Sequence, residues 1–180
     1  MRIKRENCTG LIVDIQEKFY PVIAEIENLL ANCRKLTEGL QLLNIPIIVT
    51  QQYSKGLGAT CNQISSLFHP FTYFEKNCFS CLDEPLYADY LEHSGKTNVL
   101  IYGIESHVCV LQTAIDLQEK GYYPIVIEDC ISSRQLAEKQ IALKRFSLEG
   151  IRVSSIESIL FELTRSASAA EFKSISKLVR

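Results

Sequence analysis

Three residues able to carry nucleophilic chemistry stand where apolar runs end. Cys109 lies in LIYGIESHVCVLQTAIDLQEKGY, where an apolar run closes in a glycine, five residues intervene, and the cysteine opens an amphipathic stretch. A thiol between the carboxyl end of a buried strand and the start of a helix meets oriented backbone N–H groups that favour its thiolate. Asp14 directly follows the apolar run 10–13, and Lys76 follows the weaker run 71–74. A carboxylate can take the thiol proton, and an ammonium favours the thiolate, a minor species at neutral pH when the thiol keeps its ordinary pKa of ~8.5. Backbone N–H groups in the turn ahead of Cys109 would stabilise the oxyanion formed when sulfur attacks a carbonyl. Taken singly, a packed thiol, a turn aspartate and a solvated lysine are all ordinary features. Their meaning depends on whether they meet.

Hydrophobic periodicity supplies the elements that would bring them together. The run 99–102, closed by Gly103, has the continuous apolar character of a parallel strand covered on both faces. After Cys109, Val110, Leu111, Ala114, Ile115 and Leu117 recur at helical spacing until Gly121 stops the helix. Segment 22–43 places Ile26, Leu29, Leu30, Cys33, Leu36, Leu40 and Leu43 on one helical face, and 45–50 reads as a second strand, with Pro46 tolerable only near its beginning. QQYSKGLGATCNQ is a polar loop with two glycines; a short helix then leads to a weak strand over 71–74. Residues 83–93 read as a helix and 125–127 as a strand. Ser132 or Ser133 would cap a helix running to Leu148, 151–154 is a last strand, and Phe172, Ile175, Leu178 and Val179 share a helical face in the tail. This alternation implies right-handed crossovers and a mainly parallel sheet with helices on both faces. Ligands of such sheets bind outside the carboxyl ends of the strands, where Asp14, Lys76 and Cys109 would converge.

Composition narrows the function classes. The chain has 180 residues, 19 Lys and Arg against 21 Asp and Glu, and no basic cluster, so neither nucleic acid nor a membrane surface is an expected partner. Apolar runs stop well short of the ~20 residues a spanning helix needs, and no secretory segment follows MRIKREN, so a cytoplasmic setting is expected. Seven cysteines form an odd set that suits reduced thiols better than a disulfide framework. Cys78 and Cys81 make a C-x-x-C pair, but a zinc site would need two more ligands, and His69, His93 and His107 are scattered; the flanking Phe79 and Leu82 suggest packing. A nucleotide-binding Rossmann domain is disfavoured because LIVDIQEKF stands where G-x-G-x-x-G would be.

The segments LIVDIQEKF, EKNCFS and GIESHVCVLQTAIDL resemble the three motif regions of the isochorismatase-like cysteine hydrolases. IEDCISSR and EFKSISKLVR are similar, more narrowly, to the isochorismatase domain-containing proteins. The resemblance spans nearly the whole chain. It implies one domain over 1–180 with a three-layer αβα, Rossmann-like fold around a six-stranded parallel sheet, and active sites near subunit contacts in a homo-oligomer. It also implies Asp14 as general base, Lys76 as its charge partner and Cys109 as nucleophile, with no cofactor. The oxyanion hole would be the backbone N–H groups of Glu105 and Cys109, beside a cis peptide at Ile104–Glu105.

Departures from the family pattern sharpen the expectation. Nicotinamidases of the family hold a metal through an aspartate and histidines after the second strand, where this chain reads Thr50, Gln51, Gln52, Tyr53, so no metal is expected. Some isochorismatases act on a vinyl ether without a cysteine nucleophile, so Cys109 argues for acyl chemistry. Gln52, Tyr53 and His107 are candidate pocket residues, and His107 offers a Cys–His dyad as a minor alternative to the triad. The expected function is a cysteine hydrolase that cleaves a small amide or related C–N acyl substrate through a thioester. The alternative is a catalytically quiet oligomeric binding protein of the same fold.

Overall fold

The computed structural model describes residues 2–180. Strands and helices alternate from end to end: β1 (Cys8–Val13), α1 (Ile26–Leu42), β2 (Ile47–Gln52), the single turns α2 (Ser54–Leu57) and α3 (Asn62–Ser65), β3 (Phe74–Lys76), α4 (Pro85–Ser94), β4 (Asn98–Ile104), α5 (Leu111–Glu119), β5 (Tyr123–Ser132), α6 (Leu136–Leu148), β6 (Arg152–Ser154), α7 (Ile156–Thr164) and α8 (Phe172–Leu178). The six strands form one sheet in the order β3-β2-β1-β4-β5-β6, every neighbouring pair parallel. The strand order reverses between β1 and β4, the position at which connections diverge and leave a crevice above the sheet.

Successive residues of a strand point to opposite faces, so an all-apolar strand feeds two cores. In β4, Leu100 and Tyr102 pack with Leu36, Leu40, Ile159 and Ile175 from α1, α7 and α8. Val99 and Ile101 pack on the other face with Leu91, Leu117 and Phe146 from α4, α5 and α6. The result is the expected three-layer α/β arrangement. Gly103 is held at φ 126, and a Cβ there would lie 2.2 Å from the Val13 carbonyl oxygen. Only glycine lets the ends of β1 and β4 approach this closely, beside a register shift against β5 between Ile101 and Gly103. No helix among the described residues is long and apolar enough to cross a membrane.

Several elements differ from the sequence reading. The edge strand is Phe74–Lys76, not 71–74, because Phe71 stacks with Phe68 and Tyr73 in the preceding loop and only Thr50–Gln52 offer a ladder. Lys76 therefore ends the strand rather than following it. Helix α1 starts at Ile26, since Glu25 sits in the left-handed region at φ 53. Strand β5 runs through to Ser132, so neither serine caps α6. Ser132 Oγ donates to the Ala24 carbonyl at 2.8 Å, Ser133 Oγ lies 3.0 Å from His107 Nδ1, and α6 opens after Gln135 without a side-chain cap. The helix after Cys109 begins at Leu111, behind one wider turn over Ser106–Val110. Helix α7, capped by Ser155, is absent from the sequence reading.

Candidate active site

Asp14 leaves β1 in the left-handed conformation, φ 52, which turns its side chain back across the strand ends. Its carboxylate is fully buried and accepts one hydrogen bond on each oxygen, from Thr50 Oγ1 at 2.8 Å and from Lys76 Nζ at 2.6 Å. The Lys76 ammonium is equally buried and also faces the carbonyls of Cys78 and Phe79 at 3.1 and 3.2 Å and Gln52 Oε1 at 3.3 Å. Burial is the largest single influence and opposes its charge, but the nearby acidic groups, Asp14 first among them, together hold the Lys76 pKa above the ordinary lysine value. A buried charge pair survives only with its remaining lone pairs and protons satisfied, and this one has them satisfied by backbone carbonyls and a threonine.

Cys109 sits in the turn between β4 and α5, where the Glu105 carbonyl accepts from the N–H groups of both Val108 and Val110, at 3.1 and 3.2 Å. That single π-type turn widens the start of the helix, and such turns concentrate at functional sites. The sulfur donates to Gln52 Oε1 at 3.1 Å. Burial pushes the thiol pKa up, the neighbouring Asp14 carboxylate pushes it further, and Lys76 only partly opposes them. At rest the sulfur is a protonated thiol. Lys76 does favour the thiolate, as the sequence reading expected, but its contribution is smaller than those of burial and Asp14, with which it is paired. Cys81, buried behind the site 3.8 Å from Thr50 Oγ1, is likewise pushed up to about 12 by burial and then by Asp14. All seven cysteines are free.

Gln52 links the two halves, because one amide oxygen accepts from both Cys109 and Lys76. Its backbone is gripped by the buried Gln16, whose Oε1 accepts the Gln52 N–H at 2.8 Å and whose Nε2 donates to the carbonyls of Gln52 and Gly58 at 3.0 and 2.8 Å. Above these groups opens a cavity of about 260 Å³ with Asp14, Gln52 and Cys109 at its floor and Phe19, Leu57, Phe79, Ile104 and Val108 on its walls. Glu105 and Arg134 also border it. The Ile104–Glu105 peptide is cis. The buried Glu105 carboxylate accepts from the Arg134 backbone N–H at 3.0 Å and from its Nε at 3.1 Å, while the Arg134 side chain is 61% exposed.

The structure thus brings Asp14, Gln52, Glu105 and Cys109 together around one cavity, with Lys76 behind them on Asp14 and Gln52. Two expected pocket residues lie elsewhere. Tyr53 turns out of the cavity, 54% exposed, with its N–H donating to the Lys76 carbonyl. His107 points away from the cavity to Ser133, so it forms no dyad with Cys109. Sequence reasoning missed Thr50, Gln16 and the Glu105–Arg134 pair. Thr50 lies in β2 one residue beyond Val49, which pairs with Ile12, so its hydroxyl reaches Asp14 just past the end of β1. No group of three or more His, Cys, Asp or Glu side chains among the described residues is arranged to hold a metal ion.

Residues 9–158 match the family model described as the isochorismatase domain. The chain belongs to the isochorismatase family. Isochorismatase domain-containing protein 1 from Danio rerio is 34% identical over 167 residues, which cover 93% of this chain and 59% of that protein, so the chain spans less than two thirds of that relative's length. A solved structure from Caenorhabditis elegans, described as MAR1 ribonuclease, superimposes with a TM-score of 0.93 at 34% identity, covering 99% of this chain and 92% of the other. The Escherichia coli YcaC gene product, described as an octameric hydrolase of unknown specificity, shares the isochorismatase-type fold at a TM-score of 0.92 and 20% identity, over 99% and 89% of the two chains.

Proposed function

We propose that this isochorismatase-family protein is a metal-independent cysteine amidohydrolase that cleaves a small amide or related C–N acyl compound through a thioester. One observation carries the reading: Cys109 and Asp14 line one small cavity, and the Lys76 ammonium is buried against Asp14 at 2.6 Å just behind it. With substrate bound, Asp14 takes the thiol proton as sulfur bonds to the acyl carbon, and the carbonyl oxygen becomes an oxyanion facing the N–H groups of Glu105 and Cys109. The C–N bond then breaks, and Asp14 returns the proton to the departing nitrogen. In the second half a water molecule gives a proton to Asp14 and its oxygen to the thioester carbon; the C–S bond breaks, the acid leaves and the thiol is restored. Lys76 holds the Asp14 carboxylate in place at 2.6 Å between proton transfers. The thiol's raised pKa fits this order, since the proton need move only when substrate has replaced solvent over the sulfur.

Cys109→Ala is expected to abolish hydrolysis in a screen of small amides, ureas and carbamoyl compounds while leaving the fold intact by circular dichroism. Undiminished hydrolysis by that variant would refute the mechanism. The protonated resting thiol is also what a catalytically quiet binding protein would show; alkylation of Cys109 without turnover of any compound would favour that role. The name of the nematode relative indicates a ribonuclease, so RNA belongs in the same screen. The cavity supports that activity less well, because its one bordering guanidinium is already paired with Glu105. Seven free cysteines favour a reducing, cytoplasmic setting, and the octameric relative favours homo-oligomerisation, which sedimentation would reveal.

A further inference from the structure

The charges around the cavity are matched in pairs. Lys76 is committed to Asp14 at 2.6 Å, with both side chains buried. Arg134 is committed to Glu105, whose carboxylate is buried and takes two hydrogen bonds from that one residue. Neither pair leaves a formal charge for a ligand to neutralise. A carboxylate on the substrate would have to share Arg134 with a buried Glu105 that has no other cation beside it, and an ammonium would have to draw Asp14 or Glu105 from its partner. A charge brought into such a site without its own counter-charge is costly. Between the pairs the walls are hydrocarbon: Phe19 and Phe79 are aromatic, and Leu57, Ile104 and Val108 are aliphatic. The available space, about 260 Å³, lies below the range that accommodates drug-sized ligands.

We propose that the site selects small uncharged amides with a compact apolar body, and rejects acidic and cationic analogues of the same size. This rests on the amidohydrolase reading for the word amide, but the selectivity itself is a property of the cavity. Four electrophiles separate the two: iodoacetamide, N-ethyliodoacetamide, iodoacetate and 2-bromoethylamine. Their rates of alkylation at Cys109 would be followed by intact mass and peptide mapping, each divided by its rate with 2-mercaptoethanol, with Cys109→Ser assigning the site.

The neutral pair is expected to react at least about tenfold faster than either charged reagent, reflecting the cost of an uncompensated charge in the cavity. The N-ethyl compound should be no slower than its parent. Iodoacetate matching or exceeding iodoacetamide would overturn the proposal and point to Arg134 as an anion receptor. An N-ethyl compound slower than its parent would overturn the apolar part. A neutral preference without hydrolysis of any amide would break the amidohydrolase reading and leave the selectivity standing; hydrolysis confined to acidic amides would do the reverse.

Discussion

Two ion pairs border the cavity, and they differ in how much water each sees. Asp14–Lys76 is closed off on both sides, while in Glu105–Arg134 the carboxylate is buried and the guanidinium is more than half exposed. The inner pair is held by four further contacts from Thr50, Gln52 and two carbonyls. The outer one rests on a single residue that supplies both its backbone and its side chain. A pair removed from water must be complete to be tolerated, whereas a pair whose cation faces water is partly screened and costs less to lose. The inner pair can therefore fix the position of a carboxylate at the cavity floor, and the outer one can shape an entrance.

Lys76→Met tests the difference most severely. It leaves a buried carboxylate without its counter-charge, so urea unfolding should show a loss of roughly 3–5 kcal/mol, with Asp14→Asn in the same chain restoring part of it. A loss no larger than that of a surface pair would mean that Asp14 does not need the ammonium. Alkaline pH probes the sulfurs packed near the inner pair and elsewhere in the core. Burial raises the thiols of Cys8 and Cys81 to about 12, and that of Cys109 also rises, from an ordinary 9.0. Above 9.0 the unfolded chain releases these protons while the folded chain retains them, so their contribution to stability is complete below that pH and is lost as pH climbs toward 12. The unfolding midpoint should hold steady up to that point and then decline, less steeply in Cys81→Ala. The smallest effect is expected for Arg134→Gln, about 1 kcal/mol, and 1 M salt should shrink it because an exposed charge is screened. A salt-insensitive loss as large as that of Lys76→Met would erase the contrast.

Apolar continuity made β1 and β4 legible, and helical spacing revealed α1 and α5. With them came the carboxyl-end rule that placed Asp14 and Cys109 together. The position of β3 was not legible, because the aromatic run 71–74 packs against its own loop while the edge strand carries Glu75 and Lys76. Helix α7 went unread: IESILFELT follows closely on the last strand, and Ser155 is its main start signal. The charge pairing was hidden for a different reason. Sequence can nominate Lys76 and Arg134 as cations, but which carboxylate each one faces depends on the folded crevice. The Thr50 hydroxyl and the Gln16 amide have the composition of surface residues, and only burial shows them to be structural.

Gln16 has one further consequence. Its amide grips the Gln52 N–H and carbonyl much as a neighbouring strand would, after β1 itself has ended. The oxygen that faces the sulfur is thus anchored from below by an amide that also holds the Gly58 carbonyl of the connection arching over it. Lengthening that arch near Gly56 and Leu57 would cost only a slowly growing closure entropy so long as Gly58 keeps its bond to Gln16. One amide thereby ties the span that supplies Leu57 to the groove wall and the strand end that supplies Gln52 to its base, so a change in either is felt by the other.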